Sequence, residues 1–203
     1  MAKLILLRHL ESQWNKENRF TGWVDVPLSK EGIESAKEVA GKLAGFHIDK
    51  IYTSPLIRNK ETVSLITRAA AKGGEEDLSS STNLGKKDLP IVIDKALDER
   101  NYGKLQGLNK DEAKKQYGEE QVRLWRRSWE QRPPGGESLK DVFNRVVPFY
   151  EKYIGKDLKS GKNILVVASH NSLRALVKYL ENISDEDIIN LEIPVGSLKE
   201  YDF

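Results

Sequence analysis

Four short segments of the chain have the pattern of buried β-strands. Residues 3–7 (KLILL) and 163–169 (NILVVAS) are almost continuously apolar, which is typical of strands covered on both faces. Residues 50–54 (KIYTS) and 90–94 (PIVID) are candidates for the second and third strands in chain order. The segments between them are longer and carry helical patterns.

The first two predicted helices follow the first two strands. One begins at Ser29, whose side chain can cap it. Its apolar face is expected to contain Ile33, Ala36, Ala40 and Leu43. The other has Ser54 as N-cap and Pro55 at its first position, so that Arg58 falls in its first turn.

Three further helices are expected in the second half of the chain. Residues 119–132 (EEQVRLWRRSWEQR) have a helical pattern, which residues 132–138 (RPPGGES) interrupt. A long amphipathic helix then continues through Pro148, where we expect a kink. Its apolar face would contain Leu139, Val142, Phe143, Val146, Tyr150 and Tyr153. The last helix is expected to begin at Asn171 or Ser172.

Alternating strands and helices predict an α/β fold, a three-layer sandwich in which helices flank a mainly parallel central sheet. Residues 1–203 are expected to form one domain, with a flexible loop or insertion around 71–88 where Gly, Ser and charged residues concentrate. Ligands of such folds bind at the carboxyl ends of the strands. The polar clusters that follow the strands are Arg8 with His9, residues 54–58, residues 99–102, and His170.

Composition narrows the range of functions. The chain is 38% hydrophobic and 32% charged with a formal net charge of only +2, which does not favour nucleic-acid binding. The absence of cysteine excludes thiolate catalysis and thiolate metal sites, and three dispersed histidines do not form a zinc-binding pattern. We find no signal-peptide core and no apolar run of membrane-spanning length, and therefore expect a cytoplasmic protein.

An imidazole beside guanidinium groups suits phosphoryl transfer. A neutral histidine nitrogen is a nucleophile towards phosphorus, and arginines neutralise phosphoryl oxygens through paired hydrogen bonds. His9 is the candidate nucleophile, with Arg8 and Arg58 as candidate clamps. His170 could donate to the same oxygens, and Glu99 is the best-placed proton donor for the departing oxygen.

Six segments in this order resemble the cofactor-dependent phosphoglycerate mutases of the histidine phosphatase superfamily. They are LLRHLESQWNKENRFTGWVDVPLSKEG, YTSPLIRNKET, LDERNYGKLQGLNKDE, QVRLWRRSW, PPGGES and NSLRALVKYLENIS. The resemblance covers nearly the whole chain. It implies the phosphoglycerate mutase-like fold and the interconversion of 3-phosphoglycerate and 2-phosphoglycerate in glycolysis and gluconeogenesis. It also implies priming by 2,3-bisphosphoglycerate and no metal ion.

The resemblance also implies a role for each matching residue. His9 would carry the phosphoryl group, and Glu99 would donate and accept the proton. Arg8, Arg58 and His170 would hold the transferred group, helped by Asn15 and the Ser12 hydroxyl. The remaining substrate-binding residues would be Thr21, Gly22, Tyr102, Lys110, Arg126, Arg127 and Asn171.

The sequence departs from the family pattern at two points. Leu10 replaces the glycine of the usual RHGES motif, so that the position either carries strain or narrows the pocket. The chain has ASHNSLRAL where the family has AHGNSLRAL, so that either Ser169 or His170 takes the place of the second histidine. We prefer His170, with a deletion in the turn, because serine cannot supply a cationic donor.

Two alternative functions remain at the level of sequence. One is a small-molecule phosphatase of the same superfamily, and the other is a phospho-ligand-binding protein without turnover. The spare cations Lys110, Arg126 and Arg127 favour a mutase, because its substrate carries a second anionic group, although Arg126 and Arg127 would also suit a solvated helix face. The expected partners are small phosphoglycerates, without nucleic acid or membrane, and homo-oligomerisation is left open.

Overall fold

The computed structural model describes residues 1–73 and 82–203. Within these residues the strands are β1 (Lys3–Arg8), β2 (Lys50–Thr53), β3 (Ile91–Ile93), β4 (Ile164–Ala168) and β5 (Leu198–Asp202). They form one sheet in the order β3-β2-β4-β1-β5, in which β5 alone is antiparallel to its neighbour. The predicted mainly parallel sheet is confirmed.

Helices cover both faces of this sheet. In chain order they are α1 (Gln13–Lys16), α2 (Lys30–Glu34), α3 (Ala36–Lys42), α4 (Ile57–Gly73), α5 (Lys110–Tyr117), α6 (Glu119–Arg127), α7 (Leu139–Phe149), α8 (Gly155–Lys159) and α9 (His170–Glu181). A π-helical turn, Tyr150–Ile154, joins α7 to α8. Short 3₁₀ helices lie at Lys95–Leu97, Gly103–Leu105 and Asp187–Asn190.

Successive side chains of β1 enter two different cores. Leu4 and Leu6 pack with apolar residues of α7 and α9, whereas Ile5 and Leu7 pack with those of α3 and α4. Because neighbouring residues of a strand point to opposite faces, a continuous apolar run is what a strand between two helical layers requires. The three-layer sandwich predicted from the apolar runs is therefore the observed architecture.

The first two predicted helices differ from the structure in detail. Ser29 caps α2 as expected, but the helix is interrupted at Ser35 and Ile33 is 48% exposed, so its assignment to the apolar face was wrong. The second helix begins at Ile57 rather than at Pro55. Its first amide donates to the carboxylate of Asp25, which caps the helix from a distant loop. Local sequence carries no signal for such a cap.

The later helices also differ at their ends. Helix α6 ends at Arg127, because Ser128 is extended and its hydroxyl donates to a backbone carbonyl one turn back. Pro148 lies inside α7 and the π-helical turn follows it, which leaves Tyr153 44% exposed and outside the predicted apolar face. Helix α9 begins at His170, one residue before Asn171, the earlier of the two predicted starts.

The predicted loop around 71–88 begins later than expected, because residues 71–73 still belong to α4, and residues 74–81 lie outside the described part of the chain. Beyond that gap, Leu84 is fully buried and the Asn83 side chain accepts a hydrogen bond from the Ile48 amide. Residues 82–88 are thus partly anchored to the body of the protein. None of the described helices is long and apolar enough to cross a lipid bilayer.

Candidate active site

The carboxyl ends of the parallel strands border a polar cavity. Most of the residues predicted for the site line this cavity. They are Arg8, His9, Asn15, Thr21, Gly22, Arg58, Glu99, Tyr102, Lys110, Arg126, Arg127 and His170. Strands β1 and β4 are parallel neighbours in the sheet. His9 and His170 follow their carboxyl ends and therefore lie close together.

His9 is held in the form that a nucleophile needs. Its amide donates to the Ala168 carbonyl at 3.1 Å, which extends the β1–β4 pairing to the edge of the cavity. Its Nδ1 lies 2.7 Å from the Leu10 carbonyl oxygen, and this contact assigns the proton to Nδ1. Burial, with Arg58 and Arg8 nearby, holds the pKa of His9 well below its usual value. The ring is therefore neutral, with the Nε2 lone pair available.

Two arginines supply positive charge beside His9. Arg58 is 1% exposed and donates to the carbonyl oxygens of Gly22 at 2.8 Å and Val24 at 3.2 Å. Arg8 donates to the Ile193 carbonyl at 2.5 Å. Burial lowers the pKa of both guanidinium groups, yet each remains charged at neutral pH. This pair can clamp an anion in front of the His9 ring.

His170, rather than Ser169, faces the cavity. Ser169 is fully buried and its hydroxyl accepts a hydrogen bond from Asn59 at 3.1 Å. His170 is the first residue of α9, and its Nε2 lies 3.1 Å from a carboxylate oxygen of Glu192. Burial lowers the pKa of His170 to about 4, so that the empty site holds a neutral ring. The geometry thus favours the deletion over the ungapped match.

Glu99 is a buried carboxylate with fixed orientation. Its Oε1 accepts from the Arg100 amide at 2.6 Å and from the Asn171 amide and side chain at 3.2 and 2.9 Å. Burial alone would raise the pKa of Glu99, but these donors and the charge of Arg58 together hold it below its usual value. Glu99 is therefore ionised at rest and can accept a proton. Asn171 lies behind Glu99 and does not line the cavity.

A second group of polar side chains lies on the α5 and α6 side of the cavity. Lys110 is the first residue of α5, and Arg126 and Arg127 are the last residues of α6. Burial lowers the pKa of Lys110 and of Arg126, and the positive charge of neighbouring arginines lowers both further. Tyr102 accepts from Arg100 at 3.0 Å and from Asn171 at 3.2 Å, which leaves its hydroxyl proton for a ligand. These groups can bind a second anion.

Two buried arginines hold this group in place from behind. Arg100 donates to the Arg126 carbonyl at 2.8 Å, and Arg174 donates to the Arg127 carbonyl at 2.9 Å. Arg174 also donates to Asn171 Oδ1 at 3.0 Å and so reaches the residue that orients Glu99. The carboxyl end of α6 and the support of Glu99 are therefore one hydrogen-bonded structure.

The loop after β1 contributes differently from the prediction. Ser12 is fully buried, caps α1 and donates to Asn15 Oδ1 at 2.8 Å, so its hydroxyl does not reach the cavity. Asn15 does line the cavity, and since its oxygen serves Ser12, its amide nitrogen is the end that can donate to an anion. Gly22 has φ 59°, and a Cβ there would meet the Gln106 side chain at 2.1 Å.

Leu10 neither strains the backbone nor narrows the cavity. Its φ is not positive, its side chain is 1% exposed, and it packs in the core cluster of α3 and α4. Its amide donates to the Thr62 hydroxyl at 3.0 Å. Both consequences expected for this departure from the family motif were therefore wrong, because the side chain points into the core.

Three further residues line the cavity that sequence reasoning did not single out: Arg19, Phe20 and Glu192. Arg19 and Phe20 lie in the segment that carries the resemblance, directly before Thr21, and that position was an available signal. Glu192 lies in no motif and reaches the cavity only through the tertiary fold. An acidic residue among these cations is not predictable from local sequence.

Comparison with known proteins places this geometry in context. Residues 4–203 match the family described as histidine phosphatase superfamily (branch 1). A protein of Methanococcus vannielii is 46% identical over 97% of this chain and 88% of its own length, and one of Chlamydia muridarum is 44% identical over 100% and 94%. Both are named 2,3-bisphosphoglycerate-dependent phosphoglycerate mutase.

Solved structures share the fold. Mycobacterial hydrolase 1 superposes with a TM-score of 0.82 at 22% identity, covering 98% of this chain and 88% of its own. Bacillus stearothermophilus YhfR superposes with a TM-score of 0.78 at 25% identity, covering 98% and 90%.

Proposed function

The chain belongs to the histidine phosphatase superfamily (branch 1), and we propose that it interconverts 3-phosphoglycerate and 2-phosphoglycerate through a phosphohistidine at His9. The main support is one observation: a neutral, buried His9 shares its cavity with two separate groups of cations. A phosphatase of simple esters needs one such group, whereas a phosphoglycerate carries two anionic ends. The relatives named as mutases at 44–46% identity agree with this proposal.

The priming step uses 2,3-bisphosphoglycerate as phosphoryl donor. His9 Nε2 attacks one phosphorus, and a nitrogen–phosphorus bond forms as the bond between phosphorus and the ester oxygen breaks. The departing oxygen takes a proton from Glu99, which takes up that proton from solvent when the anionic donor binds beside it. Arg8 and Arg58 bind the phosphoryl oxygens, while Lys110, Arg126 and Arg127 hold the other end of the molecule. A buried cavity with two groups of cations fits this doubly phosphorylated donor.

In the isomerising cycle, a monophosphoglycerate binds to the phosphorylated enzyme. Glu99, which is ionised at rest, accepts the proton of the attacking hydroxyl as its oxygen takes the phosphoryl group from His9. The bisphosphoglycerate formed then turns within the cavity and returns its other phosphoryl group to His9, with Glu99 giving the proton back. We propose no metal ion in this chemistry, because a neutral imidazole and fixed guanidinium groups supply the nucleophile and the charge.

We further propose that residues 1–203 work as one domain with an insertion around 71–88, in the cytoplasm, on small phosphoglycerates and without nucleic acid or membrane. Asn171 and Arg174 of α9 form hydrogen bonds to Glu99 and to the end of α6, so residues from both halves of the sequence build one site. This favours a single functional unit.

Intact-mass analysis after incubation with 2,3-bisphosphoglycerate tests the proposal. The wild type should gain one acid-labile phosphoryl group, and His9→Asn should gain none and lose mutase activity. His47→Asn is a matched control, because His47 is exposed and lies outside the cavity. Absence of phosphohistidine in the wild type would refute the mechanism, and phosphate release faster than isomerisation would identify a phosphatase.

A further inference from the structure

Glu192 places a carboxylate directly against the cations of the cavity. Its Oε1 lies 3.1 Å from His170 Nε2 and 3.6 Å from Arg8 Nη1. Its Oε2 forms an ion pair with Arg127. One carboxylate therefore contacts both groups: His170 and Arg8, which would face the transferred phosphoryl group, and Arg127, which belongs to the second group of cations.

The backbone around Glu192 is fixed, whereas its side chain is 47% exposed. Ile193 is buried in the core and its carbonyl accepts from Arg8 at 2.5 Å. The Gly196 amide donates to the carbonyls of Arg8 at 3.1 Å and His9 at 3.3 Å. The carboxylate can thus leave the cavity by rotation of its own side-chain bonds, without opening the segment that carries it.

The carboxylate remains charged wherever the enzyme would work. Contact with His170 and with Arg127 holds the pKa of Glu192 well below its usual range. An anionic ligand entering the cavity therefore meets a negatively charged competitor that already lies beside the groups it needs.

We propose that Glu192 is a specificity residue that reserves the cavity for ligands with two anionic groups. This inference rests on the proposed function, since it concerns how the same site selects its substrate. A ligand with a single phosphate displaces the carboxylate from His170 and Arg8 but leaves it on Arg127, where it repels the bound phosphate. A phosphoglycerate binds at both ends of the cavity and displaces the Glu192 side chain into solvent.

Glu192→Gln tests this assignment, because it removes the charge and keeps the size. Inorganic phosphate should bind about fivefold more tightly to the variant by calorimetry, and 3-phosphoglycerate about twofold or less. The kcat/KM for p-nitrophenyl phosphate should rise about fivefold as well. The reason for the difference is that the wild-type carboxylate stays near a single phosphate but not near a phosphoglycerate.

Glu186→Gln is the matched control, because Glu186 is exposed in the same C-terminal region and does not line the cavity. It should leave all three measurements unchanged. An unchanged affinity of Glu192→Gln for inorganic phosphate would overturn the inference. An equal increase in the affinities for phosphate and for 3-phosphoglycerate would also overturn it, since this would be a general effect of removing a charge. Binding is measured without turnover, so absence of mutase activity in the wild type would refute the proposed function separately.

Discussion

The orientation of Glu99 depends on residues that do not touch the cavity. Asn171 donates to it twice, and Arg174 in turn donates to Asn171 Oδ1 at 3.0 Å. Such support matters because a general acid–base must stay within hydrogen-bond reach of the reacting oxygen through several steps. A substitution at Glu99 that keeps these hydrogen bonds can therefore remove proton transfer without disturbing the fold.

We expect Glu99→Gln to lower kcat for isomerisation by about 10²- to 10⁴-fold, because an amide cannot exchange the proton. The glutamine oxygen can still accept from Arg100 and Asn171, so the thermal unfolding temperature should change little. Steady-state kinetics in a coupled assay measure the effect, with Glu200→Gln, an exposed residue of β5, as the control. A kcat within tenfold of the wild type would exclude Glu99 as the proton donor and acceptor.

The sequence predicted residues of the cavity where a motif fixes both identity and spacing, as it does for Arg8, His9, Arg58 and Glu99. It placed Ser12 in the cavity wrongly, because a hydroxyl at a helix N-terminus serves equally well as a cap, and the local sequence does not distinguish the two uses. It did not identify Glu192, which meets His170 only because the segment after α9 returns to the end of β1.

At the scale of elements, Asp157 ties α8 to β2. Its Oδ2 accepts from Lys50 at 2.8 Å and Tyr52 at 2.6 Å, and its Oδ1 accepts from Lys162 at 2.6 Å. Partial burial alone would raise the pKa of Asp157, but these three donors hold it well below its usual range. A carboxylate with a lowered pKa stabilises the folded state only while it is ionised.

We therefore expect Asp157→Asn to lower the free energy of unfolding by about 2 kcal/mol at pH 7. The difference from wild type should be complete above the unfolded-state pKa of about 3.8, should begin to shrink as the pH falls below that value, and would be lost entirely only below the lower folded-state pKa. Urea unfolding between pH 7 and pH 3 measures this dependence. Asp88→Asn, at an exposed site, should show neither effect, and a constant difference across this range would contradict the linkage.

The presence of a strand was predictable from the sequence where burial on both faces requires a continuous apolar run, as in β1 and β4. The ends of helices were less predictable, because residues distant in sequence can determine where a helix begins. Asp25 sets the start of α4, and the cap at Ser128 ends α6 five residues before the predicted end. Strand β5 (LKEYD) was not predicted, since its polar residues suit an edge strand and leave no strong apolar pattern.

At the scale of the whole molecule, the net charge of +2 conceals a local excess of positive charge. Arg8, Arg58, Lys110, Arg126 and Arg127 border one cavity with few carboxylates to oppose them. Their mutual repulsion is a cost to the folded state that an anionic ligand relieves. Ligand binding should therefore stabilise the entire fold.

We expect 3-phosphoglycerate at about 100 times its dissociation constant to raise the free energy of unfolding by about 2.7 kcal/mol. For a chain of this size the thermal unfolding temperature would rise by roughly 5 to 10 °C. Differential scanning fluorimetry measures the shift, and glycerate, which lacks the phosphate, serves as the control ligand. An equal shift with glycerate would mean that the phosphate is not what the cavity recognises.

The position of β1 between β4 and β5 has a consequence for biosynthesis. The nascent chain presents this apolar strand early, yet both neighbours that pair with it are translated much later. Until then β1 exposes two unpaired edges and apolar side chains, which is the condition under which chains associate wrongly or engage chaperones. Slow synthesis of the middle of this protein should therefore favour aggregation more than slow synthesis after β4.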